Sequence, residues 1–318
     1  MKRAFAPLLM LLGLTALVVL PLAGDNYIIR LATNMLMYSV LGLSWNFIGG
    51  YTGYPSFATS AFFGLGAYAG AISQGHGVPM VLAWGIGAVV ATSFAGLLGF
   101  VLLRLRGHYF AIASLVVAEV LREVVNSATD FTGGGMGLNL PILRIDVDRL
   151  AELFYYSMLS LALITLATTV IVSRHRLGFG LRCIQQNEDA ANILGVDTTL
   201  YKNFAFMLSA VFVGAAGAFY ASWVNYIDPT DVFDILLSVQ PIVMVLLGGP
   251  GTVFGPIIGA VAYLALEEIM LSNLLSFHSG LLGLIIVILI FFLPNGLFGL
   301  SWKRLKRWMG ISSAEEAA

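Results

Sequence analysis

The chain alternates long apolar runs with short polar intervals, and this pattern predicts a helical membrane protein. A bilayer core of about 30 Å needs roughly 20 apolar residues per helix. Strands of a membrane barrel would instead appear as short segments of alternating character. The sequence therefore predicts an all-α, polytopic fold with about 8–10 transmembrane helices, in one membrane domain covering 1–318. The apolar segments lie at 7–23, 28–48, 56–73, 80–103, 109–126, 153–173, 203–224, 237–249, 254–271 and 280–300.

Three of these segments differ from a simple spanning helix. Glycines interrupt segment 56–73, and segment 237–249 is too short to span comfortably, so either is a candidate for a re-entrant segment. The first segment follows Lys2 and Arg3, which makes a cleaved signal peptide the alternative to a retained helix. The stretch 21–23 is a poor cleavage site of the small-x-small type, so we expect residues 1–24 to be retained.

Composition excludes several classes of protein. Hydrophobic residues make up 59% of the chain and charged residues only 10%, whereas soluble domains carry about a quarter charged residues. The net charge of −1 gives no reason to expect a nucleic-acid partner. The single cysteine, Cys183, excludes a disulfide framework within the chain.

The distribution of lysine and arginine predicts how the chain is oriented in the membrane. Cytoplasmic loops of membrane proteins carry an excess of these residues. If the amino terminus is cytoplasmic, the predicted crossings place all four basic clusters on that side: Lys2/Arg3, Arg104/Arg106, the loop 174–202 and the stretch 303–307. Most acidic loop residues then lie on the opposite side, and both termini are cytoplasmic.

The loop 174–202 is the most polar interval between two apolar segments. Within it, 186–191 reads as a short helix, and Gly195 stands where a glycine commonly ends a helix. A short surface helix with paired acids and two small residues is suited to docking another protein. The residues predicted to form this docking surface are Glu188, Asp189, Ala190, Ala191 and Gly195.

Two stretches rich in glycine and proline, 49–57 and 248–256, interrupt the apolar pattern. Irregular backbone at membrane depth is tolerated where it is buried in protein or lines a wet cavity, and such breaks in transporters indicate the substrate path. Tight turns between helices are the alternative, because glycine and proline are common turn residues. The residues predicted to line a translocation path are Gly49, Gly50, Gly53, Ser56, Gly248, Gly249 and Gly251.

Glu119, Arg122 and Glu123 lie within an apolar segment and need an explanation. Ionisable residues inside a bilayer are candidates for function. These three fall near the outer end of their segment, which favours an ion network there over a proton relay. The glycine-rich stretch 132–137 lacks the Gly-Lys-Ser/Thr of a phosphate-binding loop, and no metalloprotease or triad motif occurs. The sequence therefore predicts neither an enzyme, nor a metal site, nor a bound cofactor.

Several stretches together resemble a known family. The run 189–195, Asp-Ala-Ala-Asn-Ile-Leu-Gly, resembles the E-A-A-x-x-x-G signature of bacterial ABC-importer permeases, with Asp189 in place of glutamate and Glu188 adjacent. Over about residues 30–300, the chain resembles the LivM-type permeases of branched-chain amino acid importers. The stretches that carry this resemblance are 103–112, 133–134, 178–186, 201–206, 245–252 and 255–260.

The resemblance implies a subunit of a larger machine in the bacterial inner membrane. Its partners would be a LivH-type permease, two cytoplasmic ATPase subunits that use the ATP, and a periplasmic amino-acid-binding protein. The stretch 181–201 would be the coupling loop that contacts an ATPase. Two alternatives stay open at this point: a permease for urea, short amides or sugars on the same scaffold, and an ion-coupled secondary transporter that uses Glu119, Arg122 and Glu123.

Overall fold

The computed structural model describes residues 13, 15–21, 25–141, 145–273, 283 and 296–297. Helices dominate this part of the chain, which confirms the all-α prediction. The only strands among the described residues are two short ones, β1 (Leu138–Asn139) and β2 (Tyr226–Ile227), which pair antiparallel. Residues 15–21 are helical. The rest of the first apolar segment apart from residue 13, the segment 280–300 apart from residues 283 and 296–297, and the basic stretch 303–307 lie outside the described residues.

The helices follow the apolar segments of the sequence closely. The second to ninth predicted segments each correspond to one described helix: α1, α2, α3, α4, α6, α9, α11 and α12 in turn. A π-helical turn, Asn46–Gly50, extends α1, and a 3-10 turn, Gly134–Met136, follows α5. The bounds are α1 Asn26–Trp45, α2 Thr59–Gly75, α3 Met80–Leu102, α4 His108–Ser127, α5 Thr129–Thr132, α6 Val147–Arg174, α7 Arg176–Gln186, α8 Glu188–Ile193, α9 Thr198–Val224, α10 Pro229–Val232, α11 Leu236–Gly248 and α12 Gly255–Asn273.

Four described helical stretches are long and apolar enough to cross a membrane, judged by length and composition. They are Met80–Leu102, Val147–Arg174, Thr198–Val224 and Pro229–Gly248, the last of which joins α10 to α11. By itself α11 has 13 residues, which corresponds to about 20 Å of helix and falls short of the bilayer core. It is one of the two segments for which the sequence left a re-entrant course open.

Helices α2 and α11 correspond to the two segments that were candidates for a re-entrant course, and their first turns meet inside the protein. The Ser238 hydroxyl, in the first turn of α11, accepts a bond of 2.9 Å from the Ser60 amide and donates one of 2.7 Å to the Phe57 carbonyl. The non-helical backbone before α2 is therefore hydrogen-bonded to buried side chains, as irregular backbone at membrane depth requires.

The centre of the helix bundle is packed through glycines. A Cβ atom added to Gly66 of α2 would lie 2.1 Å from the Gly214 carbonyl oxygen of α9, and one on Gly217 would lie 2.0 Å from the Phe63 carbonyl oxygen. Small residues let helix backbones approach this closely in membrane proteins. The central helix α9 is thereby fixed against α2 and α3.

The ionisable residues of α4 lie at the edge of this bundle. Arg122 forms an ion pair with Glu119, and their side chains are 38% and 59% exposed. Only one side of α4 is buried, through Phe110, Ser114, Ala118 and Val125. The structure thus contains an ion pair among the three predicted residues and places it on the exposed side of the bundle.

The described loops meet in two groups, one at each end of the helix bundle. At one end, β1 and β2 join the loop after α4 to the loop after α9. At the other end, the loops after α1, α3, α6 and α11 are connected by side-chain hydrogen bonds. We call this second group the docking end, because it contains the polar loop 174–202.

Candidate functional site

The docking loop, residues 174–202, folds into two short helices, α7 and α8. Helix α8 starts at Glu188 because Asn187 is its N-cap: the Asn187 backbone is extended, and its side-chain oxygen accepts a 3.0 Å bond from the Ala190 amide. The sequence-based start at residue 186 was therefore wrong by two residues. An asparagine directly before paired acids is the signal that marks this start.

Gly195 ends this helix as the sequence predicted. Its φ is +86°, a left-handed conformation that favours glycine. The Val196 amide donates to the Ala191 carbonyl and the Gly195 amide donates to the Asn192 carbonyl, both at 3.0 Å. This pair of bonds is the Schellman arrangement, which satisfies the last carbonyls of a helix. Nothing lies within 4 Å of the position a Gly195 Cβ would occupy, so only the backbone demands a glycine there.

A buried ion pair fixes the docking loop to the rest of the protein. Lys202, at the beginning of α9, is 2% exposed, and its Nζ lies 2.6 Å from Glu188 Oε1. The same ammonium donates to the Leu103 carbonyl at 3.1 Å and to the Tyr54 hydroxyl at 3.0 Å. All three ammonium protons therefore have acceptors, as a buried lysine requires.

Tyr54 completes this group by donating its own proton to Glu188 Oε2. Burial raises the pKa of Glu188, but the hydrogen bonds from Lys202 and Tyr54 and the charge of Lys202 together lower it by more. The pKa of Glu188 therefore lies below its usual value. Burial and the neighbouring Glu188 raise the pKa of Tyr54. The group at neutral pH is thus a carboxylate bound by an ammonium and a protonated phenol. We call Tyr54, Glu188 and Lys202 the anchor cluster.

Asp189, the neighbouring acid, lies at the surface instead. It accepts bonds of 3.0 and 3.4 Å from the Arg106 guanidinium, and the two side chains are 59% and 71% exposed. The Asp189 hydrogen bond raises the pKa of Arg106. Exposed pairs of this kind add little stability. The adjacent acids of the family-like signature therefore have different environments: Glu188 is held inside, whereas Asp189 stays at the surface.

The tip of the docking loop is apolar, which the sequence analysis missed. Ile193 and Leu194 are 87% and 79% exposed, while Ala191 of the same helix is buried and Ala190 is exposed. Two adjacent aliphatic residues before the glycine of a polar loop are the signal that would have revealed this tip. Two adjacent exposed aliphatic side chains on a polar loop form a small apolar surface that is suited to protein contact.

The first glycine break lies directly against the docking loop. Gln185 donates a 3.0 Å bond to the Gly50 carbonyl, and its Cγ would lie 3.4 Å from a Cβ atom added to Gly53, whose φ is +73°. The Arg182 guanidinium lies 5.5 Å from the centre of the Tyr51 ring, a cation–π contact. A displacement of α7 would consequently act on this break.

The second glycine break contacts the first through Asn46. Its side-chain oxygen accepts a 2.9 Å bond from the Gly251 amide, and its side-chain nitrogen donates a 2.9 Å bond to the Thr252 carbonyl. A Cβ atom on Gly50 would lie 1.7 Å from the Asn46 oxygen, so this contact needs a glycine at 50. Asn46 is buried and was not among the predicted site residues, although it is a polar residue within an apolar run.

The other predicted path residues lie in the same region. Gly49 packs against the Trp45 ring, and the Trp45 indole donates a 2.8 Å bond to the Ser56 carbonyl. Gly248 lies against the Gly255 backbone, and Gly249 has a φ of +121°. The structure therefore brings both breaks together at the docking end, where they form one closely packed unit. Their role in lining a translocation path stays a prediction.

Comparison with known proteins gives the family. The family described as "Branched-chain amino acid transport system / permease component" matches residues 27–292. The chain is 28% identical to the high-affinity branched-chain amino acid transport system permease protein LivM of Salmonella typhimurium, and to that of Escherichia coli, over 96% of this chain and 79% of each relative. It is 23% identical to the probable LivH of Methanocaldococcus jannaschii, over 88% of this chain and 93% of that protein.

No solved structure matches the chain significantly. The family match covers most of the chain and includes the docking loop, the anchor cluster and both glycine breaks. The long apolar helices of the chain are those expected of a multi-pass membrane protein. The chain therefore belongs to the branched-chain amino acid transport system permease family, and it resembles the LivM-type members of that family.

Proposed function

We propose that this chain is a permease subunit of an ABC importer for branched-chain amino acids in a bacterial inner membrane. The observation that carries the proposal is the docking loop, whose apolar tip is exposed while its base is fixed by the buried Glu188–Lys202 pair. A projecting contact surface on a rigid base is what a subunit needs in order to receive force from a partner. The names of the LivM relatives support the substrate class.

The partner of this tip is a cytoplasmic ATPase subunit. Ile193 and Leu194 insert into a cleft on its surface, and Asp189 with Arg106 lies at the polar rim of the contact. ATP is bound and hydrolysed by two such subunits, and this chain holds no nucleotide. The loops rich in lysine and arginine occupy this end of the bundle, which supports a cytoplasmic location for it.

Force on the docking loop reaches the glycine breaks by two routes. The anchor cluster joins α8 to Tyr54, which lies within the first break, and to the carbonyl end of α3. Gln185 joins α7 to the Gly50 carbonyl, from which Asn46 continues to the second break. We assign to these breaks the cytoplasmic end of the translocation path, which opens or closes as the docking loop moves.

The other partners follow from the same assignment. A LivH-type permease lines the other side of the path, and a periplasmic amino-acid-binding protein delivers the substrate at the opposite end. The position of the Glu119–Arg122 pair on the exposed side of α4 does not favour the ion-coupled alternative.

The experiment is co-purification of the tagged chain after co-expression with its permease, ATPase and binding-protein partners. The wild type should retain the ATPase subunits, and the double variant Ile193→Ser with Leu194→Ser should lose them. Val147→Ser is the matched control, because Val147 is 72% exposed at the opposite end of the bundle. Purification of the wild-type chain alone, with leucine uptake that needs no ATPase, would overturn the proposal.

A further inference from the structure

A cleft opens at the end of the bundle opposite the docking loop, between α1 and α9. Its volume is about 660 Å³, within the range of about 300–1,000 Å³ that is usual for small-molecule sites. One wall comes from the first turns of α1 and the other from the end of α9. The residues that line it are Tyr27, Arg30, Leu31, Asn34, Trp223, Val224 and Asn225.

Arg30 gives this cleft a positive charge. None of the ion pairs among the described residues includes Arg30, so its guanidinium keeps its donors for another group. A guanidinium presents a planar fork of donors that matches the two oxygens of a carboxylate. A carboxylate lies next to the cleft wall: Tyr27, one of the lining residues, donates a hydrogen bond to Glu268 of α12, which does not itself line the cleft.

The polar character of the cleft continues towards the interior along one face of α1. Tyr27, Arg30, Asn34 and Tyr38 follow one another at spacings of three and four residues, which aligns them on a helix. At the inner end of this stripe, the Tyr38 hydroxyl donates a 2.6 Å bond to the Gln240 side chain of α11. A site for a lipid headgroup at the membrane surface would give no reason for polar groups three turns deep.

We propose that this cleft binds the amino acid as a zwitterion on the side where the substrate enters. Arg30 binds the carboxylate, Glu268 attracts the ammonium, and Leu31 with Trp223 contacts the apolar side chain. The assignment rests on the function proposed above, because the ligand class is that of the importer. It places the first substrate contact at the end of the bundle opposite the two glycine breaks.

The test is binding of radiolabelled leucine to the assembled permease–ATPase complex in lipid nanodiscs, without the binding protein. Arg30→Gln should weaken leucine binding by about tenfold or more, because hydrogen bonds to charged groups are the stronger ones. Arg30→Lys should lie between this variant and the wild type, since lysine keeps the charge and loses the fork. Arg149→Gln, which removes an exposed arginine at the same end, is the control and should bind as the wild type does.

A competition experiment separates a binding defect from misfolding. Leucinamide lacks the carboxylate, so the wild type should prefer leucine over it by about tenfold or more, whereas Arg30→Gln should hardly discriminate. Equal discrimination in both proteins, or an importer that transports leucine without binding it in the nanodisc assay, would overturn the cleft assignment. Loss of co-purifying phospholipid from Arg30→Gln with unchanged leucine binding would also overturn it and assign the cleft to a lipid phosphate. A wild-type complex that neither binds nor transports leucine would instead refute the proposed function.

Discussion

Replacing Lys202 with methionine should release the docking loop from its base. Methionine has a similar length and fills the same space, but it leaves the Glu188 carboxylate without its ammonium. Removing one partner of a buried ion pair costs about 3–5 kcal/mol, because the remaining charge is uncompensated. The Glu188 side chain keeps 14% exposure and can turn towards water, so we expect the lower end of this range, about 3 kcal/mol.

Hydrogen exchange of the backbone amides in 186–202 measures this loss directly. A change of about 3 kcal/mol raises the opening equilibrium of the loop by roughly two orders of magnitude. The double variant Lys202→Met with Glu188→Gln should recover much of the lost protection, since no charge then remains buried. Arg106→Gln is the matched control: it also removes a cation bound to an acid of this loop, but at an exposed position.

The outcome that refutes this reasoning is additivity. If Lys202→Met and Glu188→Gln change the exchange independently, to within about 0.5 kcal/mol, the two side chains do not stabilise the loop as a pair. Equal effects of Lys202→Met and Arg106→Gln would likewise show that burial of the pair does not determine its contribution.

Three further predictions concern the loop and the core. The pKa of Glu188 is depressed in the folded protein, so its stabilising contribution is present above the unfolded value of 4.5 and is lost as the pH falls through the lower folded value. Exchange protection of the docking loop should therefore stay constant from neutral pH to about pH 5 and decrease below pH 4.5. Glu188→Gln should remove this dependence on pH. Gly66→Ala should lower the thermal stability of the detergent-solubilised chain by about 1–3 kcal/mol or more, because the added methyl group clashes with Gly214. Gly85→Ala, at an open helical position, should leave the stability nearly unchanged. Similar melting curves for both variants would contradict the packing argument. Gly195→Val should weaken co-purification of the ATPase by straining the left-handed helix end, at a cost of about 1–2 kcal/mol, and Gly195→Asn should largely preserve it; normal assembly of the valine variant would count against this role of the loop.

The lengths of the apolar segments and the residues at local turns were sufficient to predict much of the fold. Eight of the predicted segments correspond to described helices, because a run of apolar residues long enough for a bilayer has few other structures available. The helix end at Gly195 was also readable, since a left-handed terminus is encoded within a few residues. The start at Glu188 was predicted two residues too early, because Asn187 precedes the helix as its cap and is not its second residue.

What the sequence alone determined is therefore the class of protein, the helix segments and the polar loop, all of which depend on neighbouring residues along the chain. Only the tertiary structure decided how distant residues meet: that Glu188 turns inward to Lys202 while Asp189 faces outward, and that Asn46 joins the two glycine breaks. It also decided that Arg30 lies in a cleft with Trp223, more than 190 positions away in the numbering. The physical reason is that burial and hydrogen-bond partners depend on helix packing, which local periodicity does not specify.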